Sequence, residues 1–402
     1  MTNKVYKNSS PLMNLHGVPV YMDDMVDACL YGRLNLFLQG DTGSGKTQLA
    51  RDAMSYFGDK SMFILGRNDM DTRELFQRVN LEALRSGKSS DEIKELTEKI
   101  GHHLIVVDEL PNCVPAVRAQ LFNLFDGFIE INGKAYPIGQ GYSVGIATGN
   151  IGQQFTESSN DLGRALKDRM HVIVDVDHFF PKARDTLEVL YGNTNPRVEF
   201  TSDSSTNFKD VIDKYKEVVS TEIPLEKLIV ANYLLHGLDH CSKGSKRKMK
   251  DSWPNALEDH EQGSDVGLVL PVSPRASKSI VRLSQSLDNI VKDKGASQED
   301  IDAGYLDSMM QAYKFVSAHS GVLNDSAVRN NYHGDNYSAL DAVISTTQTQ
   351  FNSQADNIAS GLEMVAKGKS DQRILNSFSG RWEFMKDILE YLVEQNKPKQ
   401  ED

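Results

Sequence analysis

The chain has 402 residues, 39% of them hydrophobic, and a formal net charge of −12. That is length enough for two or three domains with a sizeable core, while the acidic balance argues against a general polyanion-binding surface, which needs a local excess of Lys and Arg. Cys29, Cys113 and Cys241 fall into no CxxC or Cys/His ligand spacing, so neither a disulfide framework nor a zinc site is expected, and a reducing cytoplasm is.

The N-terminus is polar and lacks the apolar centre of a secretory signal; residues 1–14 read as a loose arm. No apolar run approaches the ~18 residues a membrane span needs. Over 20–30, Met22, Met25, Val26, Cys29 and Leu30 recur at helical spacing, and Gly32 ends the helix. Leu34, Leu36, Phe37 and Leu38 then lead into Gly40, Asp41, Thr42, Gly43, Ser44, Gly45, Lys46 and Thr47, with helix formers from Gln48 onward. This is the spacing of a phosphate-binding loop. Glycines at 40, 43 and 45 let successive N–H groups turn inward at phosphate oxygens, where the helix N-terminus adds partial positive charge. Lys46 supplies a mobile charge for the β- and γ-phosphates, and the Thr47 hydroxyl is placed to ligate Mg²⁺.

Residues 62–65 read as a second buried strand, 67–80 as a polar segment and 89–100 as a weakly marked helix. Leu104, Ile105, Val106 and Val107, followed by Asp108 and Glu109, form an apolar run of the kind a strand buried on both faces of a parallel sheet requires. Alone, such a run is a strand entering a solvated turn. Downstream of a phosphate loop its acids acquire roles: Asp108 to hold Mg²⁺, directly or through water, and Glu109 to orient and deprotonate the attacking water.

A helix over 117–125 precedes a stretch, 127–142, that alternates apolar and polar around Asn132-Gly133, the signal of a tight hairpin. The strand over 144–148 ends at Asn150, whose amide would lie within reach of the γ-phosphate or the attacking water; as residue type alone it is also a turn former. A short helix over 162–167, an apolar strand over 170–176 and a helix over 181–191 follow. Strands alternating with helices to this point make an α/β fold with a mostly parallel sheet. Residues 192–207 are rich in turn formers, and the chain beyond 208 is helical with loops. A basic run occupies 243–250, read as a solvated loop or a contact for nucleic acid or an acidic partner. Ser273 and Pro274 open a further helix as N-cap and first residue.

GDTGSGKT, VVDELPNCVPAVRAQLFNLFDGFIEINGKAYPI, IATGN, ALKDRM and SPRA stand in the order of one family. From about residue 15 to 290 the chain resembles the AAA+ ATPases of the MoxR type, in the clade with an insertion in the second core helix, related to chelatase ATPase subunits. The resemblance implies a P-loop AAA+ core over 15–180 carrying that β-hairpin insertion, a helical lid over 181–296 with a further insertion around 193–222, and a helical extension over 297–402. ATP and Mg²⁺ are the implied cofactors. By the same resemblance Asn150 is the first sensor, Arg275 the second sensor in the lid, and Arg169 the arginine finger that completes a neighbour's site, with Arg164 a second candidate. A homo-hexameric ring is implied, acting on a partner protein, often one with a von Willebrand A domain; a ring-shaped nucleic-acid motor or restriction-type NTPase is the alternative. Asp41-Thr42 stands where the family usually has Pro-Pro, and Asn150-Ile151 where it has Asn-Pro; neither change removes a catalytic group.

Overall fold

The computed structural model describes residues 5–69, 77–79, 94–96, 98–131, 134–150, 169–192, 197, 208–238 and 265–396. The turn at 132–133, the expected helix at 162–167 with Arg164, and the basic run at 243–250 lie outside the described residues. The chain divides into two compact units, one of Met1–Glu222 with Gln285–Ile301, the other of Ile223–Ser284 with Asp302–Asp402.

The first unit begins with a small antiparallel ribbon, β1 (Met13–Leu15) on β2 (Val18–Val20), and helix α1 (Met22–Gly32). Its centre is a five-stranded sheet of β3 (Leu36–Gln39), β4 (Ser61–Leu65), β7 (Leu104–Asp108), β10 (Val144–Gly149) and β11 (Val172–Asp175) in the order β11-β3-β10-β7-β4. Every neighbouring pair is parallel. Strands β3, β7 and β10 are buried at every residue, which is why they read as unbroken apolar runs and not as alternation. Helix α2 (Lys46–Met54) packs over β7 and β10, and α3 (Pro115–Phe125) packs against β10 and the hairpin β8 (Phe128–Ile131) and β9 (Lys134–Pro137). Phe37, Ile105, Val107, Leu121, Ala147 and Ile173 lie in one apolar cluster of this unit.

Asn35, buried just before β3, fixes the N-terminal edge of the sheet. Its amide donates to the carbonyls of Phe125 (2.7 Å) and Arg169 (3.0 Å), and its Oδ1 accepts the Gly145 N–H at 2.8 Å. Gly145 has to be glycine, since an added Cβ would stand 2.3 Å from the Phe125 ring.

Two local expectations differ from what forms. Lys94–Leu96 is not helical; it is strand β6, paired antiparallel with β5 (Gln77–Val79). The helical period there is weak, and pairing with a distant segment overrides it. Residues 5–12 are not loose: the buried Tyr6 donates its N–H to Asp52 of α2 at 2.8 Å, and Ser9 gives both N–H and Oγ to the buried Asp185. A polar composition concealed a segment anchored through side chains that lie far away in sequence.

Helix α4 (Ala183–Gly192) follows β11, and α5 (Phe208–Ser220) packs along α1. The second unit is helical. It comprises α6 (Leu225–His236), the beginning of α7 (Pro274–Asp293), and, beyond the short α8 (Gln298–Ala303), helices α9 (Tyr305–Ser317), α10 (Asp325–Tyr332), α11 (Asn336–Ala366), α12 (Gln372–Ser377) and α13 (Phe384–Gln395). Ser273 caps α7 as expected, accepting the Ala276 N–H at 3.1 Å. The core of this unit joins Tyr233, Phe351, Trp382 and Phe384 in ring contacts, around a buried Asp265 whose carboxylate receives the Arg381 guanidinium at 3.1 Å. Arg381 also donates to the Tyr233 hydroxyl at 2.8 Å. Residues 302–396 thus pack with 223–238 and 265–284 in one unit. Among the described residues no helix is long and apolar enough to cross a membrane.

Candidate nucleotide site

The site lies at the C-terminal ends of β3, β7 and β10, where an open parallel sheet offers its crevice. The loop leaving β3 turns through Gly40, Gly43 and Gly45 at φ +155°, +88° and +86°. These values exclude a side chain, and at Gly43 no atom lies within 4 Å of where a Cβ would stand, so the loop encloses an open cradle. Lys46, buried at 5% exposure, folds back across it. Its Nζ donates to the carbonyls of Gly40 (3.0 Å) and Asp41 (2.6 Å) and to Ser44 Oγ (3.2 Å). Burial pushes the ammonium below its ordinary pKa, while Glu109, Asp177, Asp41 and Asp108 pull it back up. Thr42 receives the Asn150 amide, Gln48 bonds Asp52, and Ser44 donates to the Asp41 carbonyl.

β7 delivers the two acids. Asp108 Oδ1 accepts the Thr47 hydroxyl at 2.9 Å and the Thr148 hydroxyl at 2.5 Å. Thr47 and Asp108, the two expected Mg²⁺ ligands, are therefore in direct contact. Glu109 turns away in a left-handed conformation, φ 57° and ψ 46°. Burial, then the Asp108 charge, raises its carboxyl above the usual range, against the lowering effect of Lys46. Asn150 follows β10 with its Nδ2 on Thr42 at 3.2 Å, while its buried Oδ1 has no hydrogen-bond partner among the described residues. The glycine cradle, the paired hydroxyl and carboxylate, and this orphaned amide oxygen together fit a Mg²⁺-nucleotide.

Arg169 is elsewhere in the first unit. Arg169 precedes β11 at the N-terminal edge of the sheet, its carbonyl tied to Asn35 and its guanidinium on Asp126 (2.9 Å) and over the Phe122 ring (4.9 Å). The phosphate loop leaves the opposite end of β3, so Arg169 stands away from its own chain's cradle. Arg275, exposed, is the second residue of α7 and belongs to the second unit.

Two contacts at the site are not legible from the sequence. Asp177, just past β11, accepts the Asp41 N–H at 2.5 Å, and the Tyr6 ring lies over Gly45, 2.9 Å from where a Cβ would stand. Only the strand order, which puts β11 beside β3, brings Asp177 to the loop.

Residues 35–170 match the AAA domain of the dynein-related subfamily. That segment is an AAA domain. The domain type, with the phosphate-loop geometry above, supports ATPase activity. No curated protein matches the chain in sequence. Among solved structures, a "putative ATPase" from Cytophaga hutchinsonii superposes with a TM-score of 0.56 at 16% identity, over 80% of this chain and 88% of that one, a likeness of fold. A full-length MCM homolog from Methanopyrus kandleri is looser, with TM-score 0.45 and 12% identity over 74% of this chain and 55% of that one.

Proposed function

We propose that this AAA ATPase is of the MoxR type and works in the cytoplasm as a homo-hexameric ring whose hydrolysis remodels or activates a separate partner protein, one with a von Willebrand A domain being the favoured class. The observation that carries the catalytic part is the direct contact of Thr47 with Asp108 beneath a loop whose lysine is free to exchange carbonyl partners for phosphate. The order of motifs, with the hairpin β8–β9 following α3, supports the MoxR type.

In this reading the amides of residues 40–47 and Lys46 hold the phosphates, and Thr47 with Asp108 holds the metal. Bound Mg²⁺ supplies charge that offsets the negative charge building on the phosphoryl oxygens. Glu109 takes the proton from the attacking water, and its raised pKa brings it nearer to that task at neutral pH. Asn150 aligns the water. Arg169, at the far edge of its own sheet, serves a neighbour's site, with Arg164 as the other candidate, and Arg275 senses the nucleotide from the lid. A cation delivered in trans makes turnover depend on assembly.

The second reading, a nucleic-acid motor, is favoured by the exposed Lys134 on β9, whose Nζ lies 5.3 Å from the Tyr136 ring centre. The net charge of −12 weighs against it. Purifying Glu109→Gln protein from its own cells with ATP present should trap the loaded ring. Mass spectrometry should then find a stoichiometric protein partner. Nuclease-sensitive nucleic acid without a protein would overturn the remodelling reading in favour of the motor.

A further inference from the structure

Thr148 is the one polar residue of β10, a strand otherwise made of Val144, Gly145, Ile146, Ala147 and Gly149, and it is fully buried. Shape alone would be served there by valine, which has the same branching and no hydroxyl to satisfy. The hydroxyl is used in both directions. It donates to Asp108 Oδ1 at 2.5 Å and accepts the backbone N–H of Glu109 at 3.1 Å.

The register explains why this position reaches both acids. Ala147 stands opposite Val107 across the β10–β7 pair, which sets Thr148 beside the point where β7 ends and the chain turns. The turn is left-handed at Glu109, a conformation its Cβ disfavours. The Thr148 hydroxyl on its N–H helps to hold it, as do the Asn112 N–H on its carbonyl at 3.0 Å and Gly66, whose own N–H donates to the Asp108 carbonyl at 2.7 Å and whose missing Cβ would stand 2.4 Å from the Glu109 carbonyl oxygen. On the side-chain side, Thr148 and Thr47 both donate to Asp108 Oδ1, which fixes the rotation of the carboxylate.

We propose that Thr148 is a positioning residue for hydrolysis: one buried hydroxyl sets the Asp108 carboxylate towards the metal position and, through the Glu109 N–H, sets the direction in which the Glu109 side chain leaves the strand. Fully buried and bonded to both acids, it acts through them. The inference rests on the reading of Asp108 as metal holder and Glu109 as base.

The test compares Thr148→Val, Thr148→Ser and Glu109→Gln in the full chain, with ATP turnover, its Mg²⁺ dependence and metal-free ADP binding measured for each. Thr148→Val is expected to lose about tenfold or more in kcat, to need a several-fold higher Mg²⁺ concentration for half-maximal rate, and to bind metal-free ADP within about twofold of the unaltered protein. Thr148→Ser, which keeps the hydroxyl, is expected to restore kcat to within about threefold. A purely structural threonine would not separate kcat from ADP binding, nor shift the Mg²⁺ requirement. If the valine variant does not fold, Thr148→Cys, with a much weaker hydrogen-bonding group, carries the same expectation. Thr148→Val turning over at the unaltered rate, or Thr148→Ser as slow as Thr148→Val, overturns the proposal. Slow Glu109→Gln beside a fast Thr148→Val sinks the positioning role alone, whereas fast Glu109→Gln sinks the assignment of the base beneath it.

Discussion

Lys46 shows how a single residue couples the fold to the chemistry. Buried with its ammonium on two loop carbonyls and Ser44, it is held at the mouth of the cradle by groups it can give up. Lys46→Ala should abolish ATP binding while the fold persists, checked by titration with a fluorescent ATP analogue; ordinary affinity would move the site elsewhere. Glu109 carries a pH signature. Its carboxyl titrates above the ordinary range because of burial and the Asp108 charge, so ionising it destabilises the folded state. That penalty is absent at pH below the unfolded glutamate pKa and is complete once pH has risen past the folded value. Glu109→Gln should therefore melt at a higher temperature than the unaltered protein at pH 8, with the gap closing as the buffer is acidified towards pH 4; a gap that widens on acidification would contradict the assigned shift. Lys46, Thr47, Asp108 and Glu109 are legible in the sequence because loop spacing and a strand ending in two acids are local patterns. Thr148, Asp177 and Tyr6 are not, because each gains its role only from the neighbour that strand order or an anchored arm provides.

At the scale of elements, close packing fixes where glycine and buried charge are required. Gly145 on β10 faces the Phe125 ring of α3 with no room for a Cβ, so Gly145→Ala should destabilise the first unit by about 1–3 kcal/mol, read from urea unfolding. In the second unit Asp265 is fully buried and holds Arg381. Asp265→Ala would leave that guanidinium without its carboxylate, at a cost of about 3–5 kcal/mol, read from the unfolding of the helical unit. A loss near zero would mean that Arg381, which also bonds the Tyr233 hydroxyl, is not left uncompensated when the carboxylate is removed. Strands β3, β7 and β10 are legible as apolar runs because both of their faces are covered, whereas Lys94–Leu96 is not, since its pairing partner Gln77–Val79 carries no strand signal of its own. The helices of the second unit show in their periodicity, but nothing in periodicity says that 302–396 would pack with 223–238 and 265–284.

For the whole molecule, the proposed role of Arg169, at the far edge of its own sheet, would tie activity to assembly. Turnover per chain should rise with protein concentration, and Arg169→Ala should bind ATP normally yet hydrolyse it at least about tenfold more slowly, a barrier increase of about 1.4 kcal/mol. Mixing Arg169→Ala with Lys46→Ala should recover part of the lost turnover, since one chain keeps its cradle and the other its finger; no recovery would argue against action in trans. If the cradle at 40–47 and the acid Glu109 form one hydrolytic site, Glu109→Gln separates binding from hydrolysis when ATP affinity is measured beside Mg²⁺-dependent turnover. Affinity should stay within about threefold of the unaltered protein while turnover slows by about tenfold or more. Equal turnover would place the base elsewhere and contradict that single site.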